Sequence, residues 1–396
     1  MNVINKENYK IPVFSWCPDI EESAMKQVDN LAQLPFVFKR VVILSDCHVG
    51  YGMPIGGVMA TKGVVVPNAV GVDIGCGMCA VKTSLPEIDK ETLKKIMGEI
   101  RKVVPLGFNH HKEKQDGLLM PINPMGMIIV EQEYNNALTQ IGTLGGGNHF
   151  IEIQKGSDGY IWIMIHSGSR NFGYKIAEYY NKLAIELNQK WFSQVPKEWE
   201  LAFLPLDSEE GHAYLREMNY AVEFALANRK LMMDRICLIF KSIFDNIEFI
   251  QDFNKDIDTN FINIAHNYAS MENHFGSNVL VHRKGATLAR EGTIGIIPGS
   301  QGTKSYIVKG LGNKDSFESC SHGAGRCMSR KKAHEILILA DEIKKMDDLG
   351  IVHGMRTQKD LDEASSAYKD ISVVMENQKD LVEILVELSP LANIKG

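Results

Sequence analysis

"NAVGVDIGCGMCAVKTSL", residues 68–85, changes character at its middle. Gly71, Gly75 and Gly77 break up the first half, whereas "CAVKTSL" (79–85) is a short apolar run with β-branched residues. The pattern predicts a buried strand entered from a glycine-rich turn that carries Asp73 and Cys76. Cys76-Gly77-Met78-Cys79 also reads as a C-x-x-C, half of a zinc site or a redox pair. No second C-x-x-C exists to complete a zinc site.

The same alternation of apolar run and glycine recurs over the first 170 residues. "FVFKRVVILSD" (36–46), "GVVVPNAVGV" (63–72), "HFIEI" (149–153) and "IWIMIHSG" (161–168) read as buried strands, and "EIDKETLKKIMGEIRKVV" (87–104) as a helix with an acidic first turn. From Tyr174 to about Lys190, and from Glu210 to about Phe244, apolar residues recur at three- and four-residue spacing, which predicts a helical hairpin packed on the sheets. Strand and turn character returns from about 262 to 330. Helices are then expected near "RKKAHEILILADEIKKM" (330–346) and "KDLVEILVELSPL" (379–391). Strand-rich ends with helices between them indicate an α+β fold. The expectation is a single domain over 1–396, with interwoven β-sheets around a polar central cleft and a helical insertion at about 174–250. A two-domain split near 173 and 260 fits the composition as well.

With 396 residues, 44% hydrophobic and 23% charged, the chain has the make-up of a globular protein with a sizeable core. A net charge of −6 and a pI of about 6.1 mean that polyanion binding has to come from local basic patches such as 279–290 and 325–334. The seven scattered cysteines do not form a disulfide framework, the N-terminus lacks an apolar signal segment, and no apolar run is long enough for a membrane helix. These features point to a cytoplasmic enzyme with reduced thiols and no membrane partner.

The polar residues concentrate in six glycine-rich stretches: "SDCHVGYGMPIGG" (45–57), "GVDIGCGM" (71–78), "LGGGNHFIE" (144–152), "HSGSRNFG" (166–173), "AHNYAS" (265–270) and "CSHGAGR" (320–326). Five of the six carry a histidine and the remaining one carries the Asp–Cys pair. Asp73, Cys76, His149, His166 and His266 mix carboxylate, thiolate and imidazole, a set that suits borderline divalent ions such as Zn²⁺, Mn²⁺ or Co²⁺. Five ligands exceed one open tetrahedral site and suit two adjacent metals, which clamp phosphate oxygens in an in-line displacement. "IPGSQGTKS" (297–305) is a loop able to cradle phosphate with backbone N–H groups, although it lacks the Walker ending. His322, among small residues and followed by Arg326, has room for a bulky group and can serve as a nucleophile.

Taken together, these stretches resemble the RtcB-type RNA-splicing ligases. "GVDIGCGM", "GNHFIEI", "HSGSR", "HNY", "RKGA", "IPGSQGTKSYIV", "SHGAGR", "MSR" and "AYKDI" follow that family's order, from about residue 35 to 396. The resemblance implies two Mn²⁺ ions sharing Cys76, with His166 and His266 completing one site and Asp73 and His149 the other. It implies that His322 attacks the α-phosphate of GTP and becomes guanylylated. The implied guanylate pocket comprises Asn148, Glu152, Asn267, Pro298, Gly299, Ser300, Gln301, Ser305, Gly323, Ala324, Gly325, Tyr368 and Lys395, with Glu152 reading the guanine edge. Arg170 and Arg326 are the expected contacts to RNA or GTP phosphate.

The implied activity is GTP-dependent joining of RNA 3′-phosphate or 2′,3′-cyclic phosphate ends to 5′-hydroxyl ends, in tRNA splicing or RNA repair, by a monomer or weak homo-oligomer. Cys47 stands where that family usually has an aliphatic residue. His110 and His111, in the variable stretch "GFNHHKEKQDG" (107–117), are expected to be exposed loop residues. Two rival classes use the same residues: a two-metal phosphoesterase, and a GTP-binding factor acting on RNA or ribosomes without ligation.

Overall fold

A computed structural model describes residues 1–250 and 261–396. Its framework is two β-sheets with helices packed on them, so the α+β expectation holds. The proposed boundary near 260 falls outside the described residues.

One sheet has six strands in the spatial order Asn2–Ile4, Val13–Ser15, Val37–His48, Ile55–Thr61, Ser277–Lys284 and Asn267–His274. The other runs Phe249–Ile250, Gly77–Thr83, Ile161–Ser167, Phe150–Gly156, Val382–Lys395, Ser305–Gly310 and Ile294–Ile297, with Ile262–Ala265 also paired to Gly77–Thr83. Apart from Val13–Ser15 beside Val37–His48, neighbouring strands are antiparallel. A single residue, His266, separates Ile262–Ala265 in the larger sheet from Asn267–His274 in the smaller one. The two sheets are thus joined covalently at a histidine.

The hairpin forms as Asn171–Lys190 and Glu209–Ile243. The second helix is capped by Ser208, whose hydroxyl accepts from the Gly211 N–H at 3.0 Å, a bond that satisfies a donor the helix cannot pair itself. Its apolar face, including Met232, Met233, Ile236 and Phe240, packs against Ile151, Ile163 and Ile165 of the larger sheet, and its Tyr214, Met218 and Phe224 pack with Phe172, Ile176 and Tyr180 of the first hairpin helix. The helical insertion stops before 250, because Phe249–Ile250 pairs with Gly77–Thr83 as a strand.

Three expectations fail. The C-terminal stretch expected to be helical is a 14-residue strand, Val382–Lys395, seated between Phe150–Gly156 and Ser305–Gly310. Unpaired edges on both neighbours outweigh its helical spacing, and a bulge at Pro390–Ala392 accommodates the residue that cannot donate. "GVVVPNAVGV" is only a two-residue strand, Val64–Val65, because Pro67 starts a short helix through Val70. The expected helix at 330–346 is two, Arg330–Ile336 and Leu339–Asp348. Among the described residues, the helices Glu22–Ala32, Ile128–Gln140 and Ile371–Glu376 were not anticipated. Among the described residues no helix is long and apolar enough to cross a membrane.

Candidate metal and nucleotide site

The strand register brings the polar stretches together. Phe150 and Met78 both lie opposite His166, so His149 and the Cys76 turn converge on one end of the larger sheet. The turn closes through the Cys76 N–H donating to the Asp73 carbonyl at 3.1 Å. The His266 N–H donates to the Cys76 carbonyl at 2.8 Å and locks the inter-sheet joint to the same turn. Gly77 is required here: a Cβ would lie 2.0 Å from the Ile264 carbonyl oxygen. Arg229, fully buried in the long hairpin helix, donates to the carbonyls of Gly75 (3.0 Å) and Ser167 (2.8 Å) and clamps the turn from behind.

Cys76 Sγ lies 3.4 Å from His149 Nε2 and 3.3 Å from His166 Nε2. Asp73 Oδ2 is 3.2 Å from His149 Nε2. The remaining ring nitrogens of the two histidines face backbone carbonyls, His149 Nδ1 to Leu144 and His166 Nδ1 to Asn148, each at 3.0 Å. A carbonyl only accepts, so both Nδ1 atoms carry the proton and Nε2 presents a lone pair to the cluster. The His266 ring stands 5.2 Å from that of His166, with its buried Nδ1 lacking a hydrogen-bond partner. His149 Nε2, the Asp73 carboxylate and the Cys76 sulfur are thus acceptors facing one another, an arrangement that a cation resolves.

Electrostatics reinforces this. Burial, followed by the neighbouring Asp73, pushes the Cys76 thiol well above its ordinary value, so a thiolate there needs positive charge beside it. Burial, together with the surrounding histidines, holds His166 and His266 well below the usual imidazole range, neutral as ligands must be. The donor set fits borderline divalent cations. A second group, Glu272, His274 and Glu318, already holds Arg283 and Arg290 as its counter-charges.

His322 sits beside this cluster, its ring 4.7 Å from that of His266. Its backbone N–H (3.0 Å) and its Nδ1 (2.6 Å) both reach Asp46 Oδ2. Asp46 is wholly buried; burial raises its carboxyl, yet the His322 ring beside it, bonded through Nδ1, outweighs that and leaves it below the usual range. Nδ1 therefore carries the proton that Asp46 accepts, which leaves the lone pair on Nε2. Gly325 adopts φ +74°, and a Cβ on it would lie 2.1 Å from the Asp46 carbonyl oxygen, so this pairing requires glycine there.

Most of the expected guanylate residues form a wall of two bonded groups, one on Ser305 and one on Glu363, with Asn148 and Asn267 apart from both. Glu152 accepts from Gln154 (2.6 Å) and Asn393 (2.8 Å), Gln154 donates to Ser305 (3.1 Å), and the Ser305 hydroxyl accepts from the Gly299 N–H (3.2 Å). The Ser300 N–H is taken by Thr303. Gln301 donates to the Glu363 carbonyl at 2.9 Å, and the Glu363 carboxylate gathers Tyr368, Arg326, Arg330 and Lys395. Gly323 abuts Pro298, and Ala324 is buried. The Asn148 carbonyl is engaged by His166, while Asn267 donates to the Asp73 carbonyl (3.0 Å) and accepts from the Gly285 N–H (2.7 Å).

Arg326 turns inward over the Tyr368 ring. Arg170 holds an unusual φ of +58° and reaches Thr143 and the Gly107 carbonyl, each at 3.1 Å. Cys79, three residues from Cys76, lies in the core, where burial pushes its thiol up to about 12. His48 is spent on the Asp46 carbonyl and does not join the cluster. Half-buried His111 accepts from Arg235 at 3.0 Å, so it is less exposed than expected. Asp46, Glu363 and Arg229 received no role from the sequence. Asp46 was signalled by its place beside His48 at a strand end, whereas Arg229 lies in a helix read as core packing and Glu363 in a stretch that received no reading.

The tRNA-splicing ligase RtcB family model matches residues 27–123 and 123–396. The chain belongs to the RtcB family. The RNA-splicing ligase RtcB of Escherichia coli K12 is 38% identical over 411 residues, covering all of this chain and 99% of that protein. Escherichia coli ATCC 25922 has an RNA-splicing ligase RtcB1 with 38% identity over 414 residues, at the same coverage. The tRNA-splicing ligase RtcB of Methanococcus maripaludis is 31% identical over 450 residues, covering 96% of this chain and 92% of its own.

Proposed function

We propose that this RtcB-family chain joins RNA 3′-phosphate or 2′,3′-cyclic phosphate ends to 5′-hydroxyl ends using GTP and Mn²⁺, in tRNA splicing or RNA repair. One observation carries the reading: Asp46 holds His322 Nδ1, which leaves Nε2 as a nucleophile beside a buried Cys/His/Asp cluster. Asp73, Cys76, His149, His166 and His266 would hold the divalent cations, which neutralise phosphate charge and orient groups for in-line transfer when bound.

His322 Nε2 attacks the α-phosphorus of GTP and pyrophosphate leaves. Asp46 keeps the ring oriented and balances the charge that the imidazole gains. The GMP passes from His322 to an RNA 3′-phosphate, a cyclic end having first been opened by hydrolysis. The 5′-hydroxyl of the second strand then displaces GMP and forms a 3′,5′-phosphodiester. Glu152 at the base of the wall accepts from guanine N–H groups, which accounts for GTP in preference to ATP. Ser305, Lys395 and the 298–301 loop surround the nucleotide.

The test is incubation with Mn²⁺ and α-labelled GTP, followed by denaturation. Label retained by wild type and missing from His322→Ala is the expected result. Unlabelled wild-type protein that merely hydrolyses a 2′,3′-cyclic phosphate would replace the ligase reading with a phosphoesterase.

A further inference from the structure

The loop "GFNHHKEKQDG" (107–117) is the stretch that the family's motifs leave unused, yet it touches the cluster. The Gly107 N–H donates to the Gly145 carbonyl at 3.1 Å, and its own carbonyl accepts from Arg170 at 3.1 Å. Gly145 packs on the cluster directly, because a Cβ there would lie 2.5 Å from His149 Nδ1. The loop therefore begins one residue's contact away from His149. The residue that follows, Phe108, is 96% exposed.

That ring is not on a loose tether. The Asn109 N–H donates to the Leu106 carbonyl (3.1 Å), the His111 N–H to Thr139 (2.9 Å) and the Gln115 N–H to Leu138 (2.9 Å). The turn is thus pinned on both sides of Phe108, which holds an aromatic face out into water beside the cluster. A guanidinium stands next to it in the fold: Arg170 donates to the carbonyl of Gly107, the residue before Phe108, and Lys112 follows on the loop. Glu113 and Asp116 are the loop's own acids, and Asp116 is occupied in capping the turn at Leu118.

An exposed aromatic on a pinned turn, one residue from a guanidinium contact and close to the proposed phosphate-handling cluster, matches the chemistry of single-stranded nucleic-acid sites: bases stack on the ring while a cation meets the backbone. We infer that Phe108 is a stacking platform for a nucleobase of the single-stranded RNA end that enters the cluster. The inference rests on the ligase reading for its substrate. Stacking uses the face that every base shares, so Phe108 contributes affinity and positioning without reading sequence.

The experiment compares wild type, Phe108→Ala and Phe108→Trp in binding a short single-stranded RNA with a 3′-phosphate, intact or with each terminal base removed in turn. Phe108→Ala is expected to weaken binding of the intact RNA about 5- to 150-fold and to raise the KM for RNA more than it lowers kcat, with Phe108→Trp restoring both. Removing the stacked base should bring wild type to the Phe108→Ala level and cost the variant nothing further. Equal binding by wild type and Phe108→Ala overturns the inference. So does base removal that weakens both proteins by the same factor at every position. Guanylylation, measured without RNA, judges the ligase reading separately: absence of label in wild type removes that reading, while the binding comparison still decides the stacking.

Discussion

Asp46 illustrates how much one buried side chain decides. Its Oδ2 accepts from both the backbone and the ring of His322, and so fixes which imidazole nitrogen keeps its lone pair, the one that attacks in the proposed reaction. In Asp46→Asn the amide can present its NH₂ to Nδ1, which favours the tautomer with the proton on Nε2. Guanylylation of His322 should fall on the order of 100-fold or more, as rapid-quench labelling with α-labelled GTP would measure. Glu152 supplies a pH test. Burial pushes its carboxyl up to about 8 despite the donors Asn393 and Gln154, so before nucleotide binds it is protonated at neutral pH. In the proposed complex guanine N–H donors favour the carboxylate, so nucleotide binding should release a proton below pH 8. GTP affinity should rise with pH, by at most about tenfold per unit, and level off above about 8. Glu152→Gln, which does not titrate there, should remove the slope in a calorimetric titration across that range.

At the scale of elements, the strand Val382–Lys395 ties the core to the site. It places Asn393 against Glu152 and Lys395 beside Phe150, while Val386 and Leu388 pack in the interior of the larger sheet. Leu388→Ala should destabilise the fold by about 2–5 kcal/mol in denaturant unfolding, the range for emptying a fully buried leucine site. The stretch was misread from sequence although Val382, Ile384, Val386 and Leu388 alternate, because the same run also offers helical spacing. Short apolar runs are ambiguous by periodicity, and only the two waiting sheet edges decide between the readings. The hairpin helices, by contrast, were legible nearly to their ends, since a periodicity sustained over 20 and 35 residues has no strand alternative.

Across the whole molecule, the site is a seam where the two sheets meet at His266, with the Cys76 turn on one side and Asp46 and His322 on the other. A cation bound at the seam binds the folded state alone, so Mn²⁺ should raise the thermal midpoint in proportion to the logarithm of its concentration, and chelator should reverse the effect. Cys76→Ala should lose both the metal-dependent shift and guanylylation, whereas Cys79→Ala should keep both. Equal loss in the two variants would restore the C-x-x-C reading of that turn.

The sequence by itself determined the chemistry: which histidines, carboxylates and cysteine stand next to glycine at strand ends, and that their order resembles one family. These are local properties, written in residue type and spacing. Tertiary structure alone decided that Asp46 grips His322, that Arg229 clamps the Cys76 turn, that Glu363 gathers Tyr368, Arg326 and Lys395, and that the C-terminal run is a strand. Each of these depends on groups brought together from distant parts of the chain, and periodicity within a segment carries no information about the edge, carbonyl or charge that will meet it after folding.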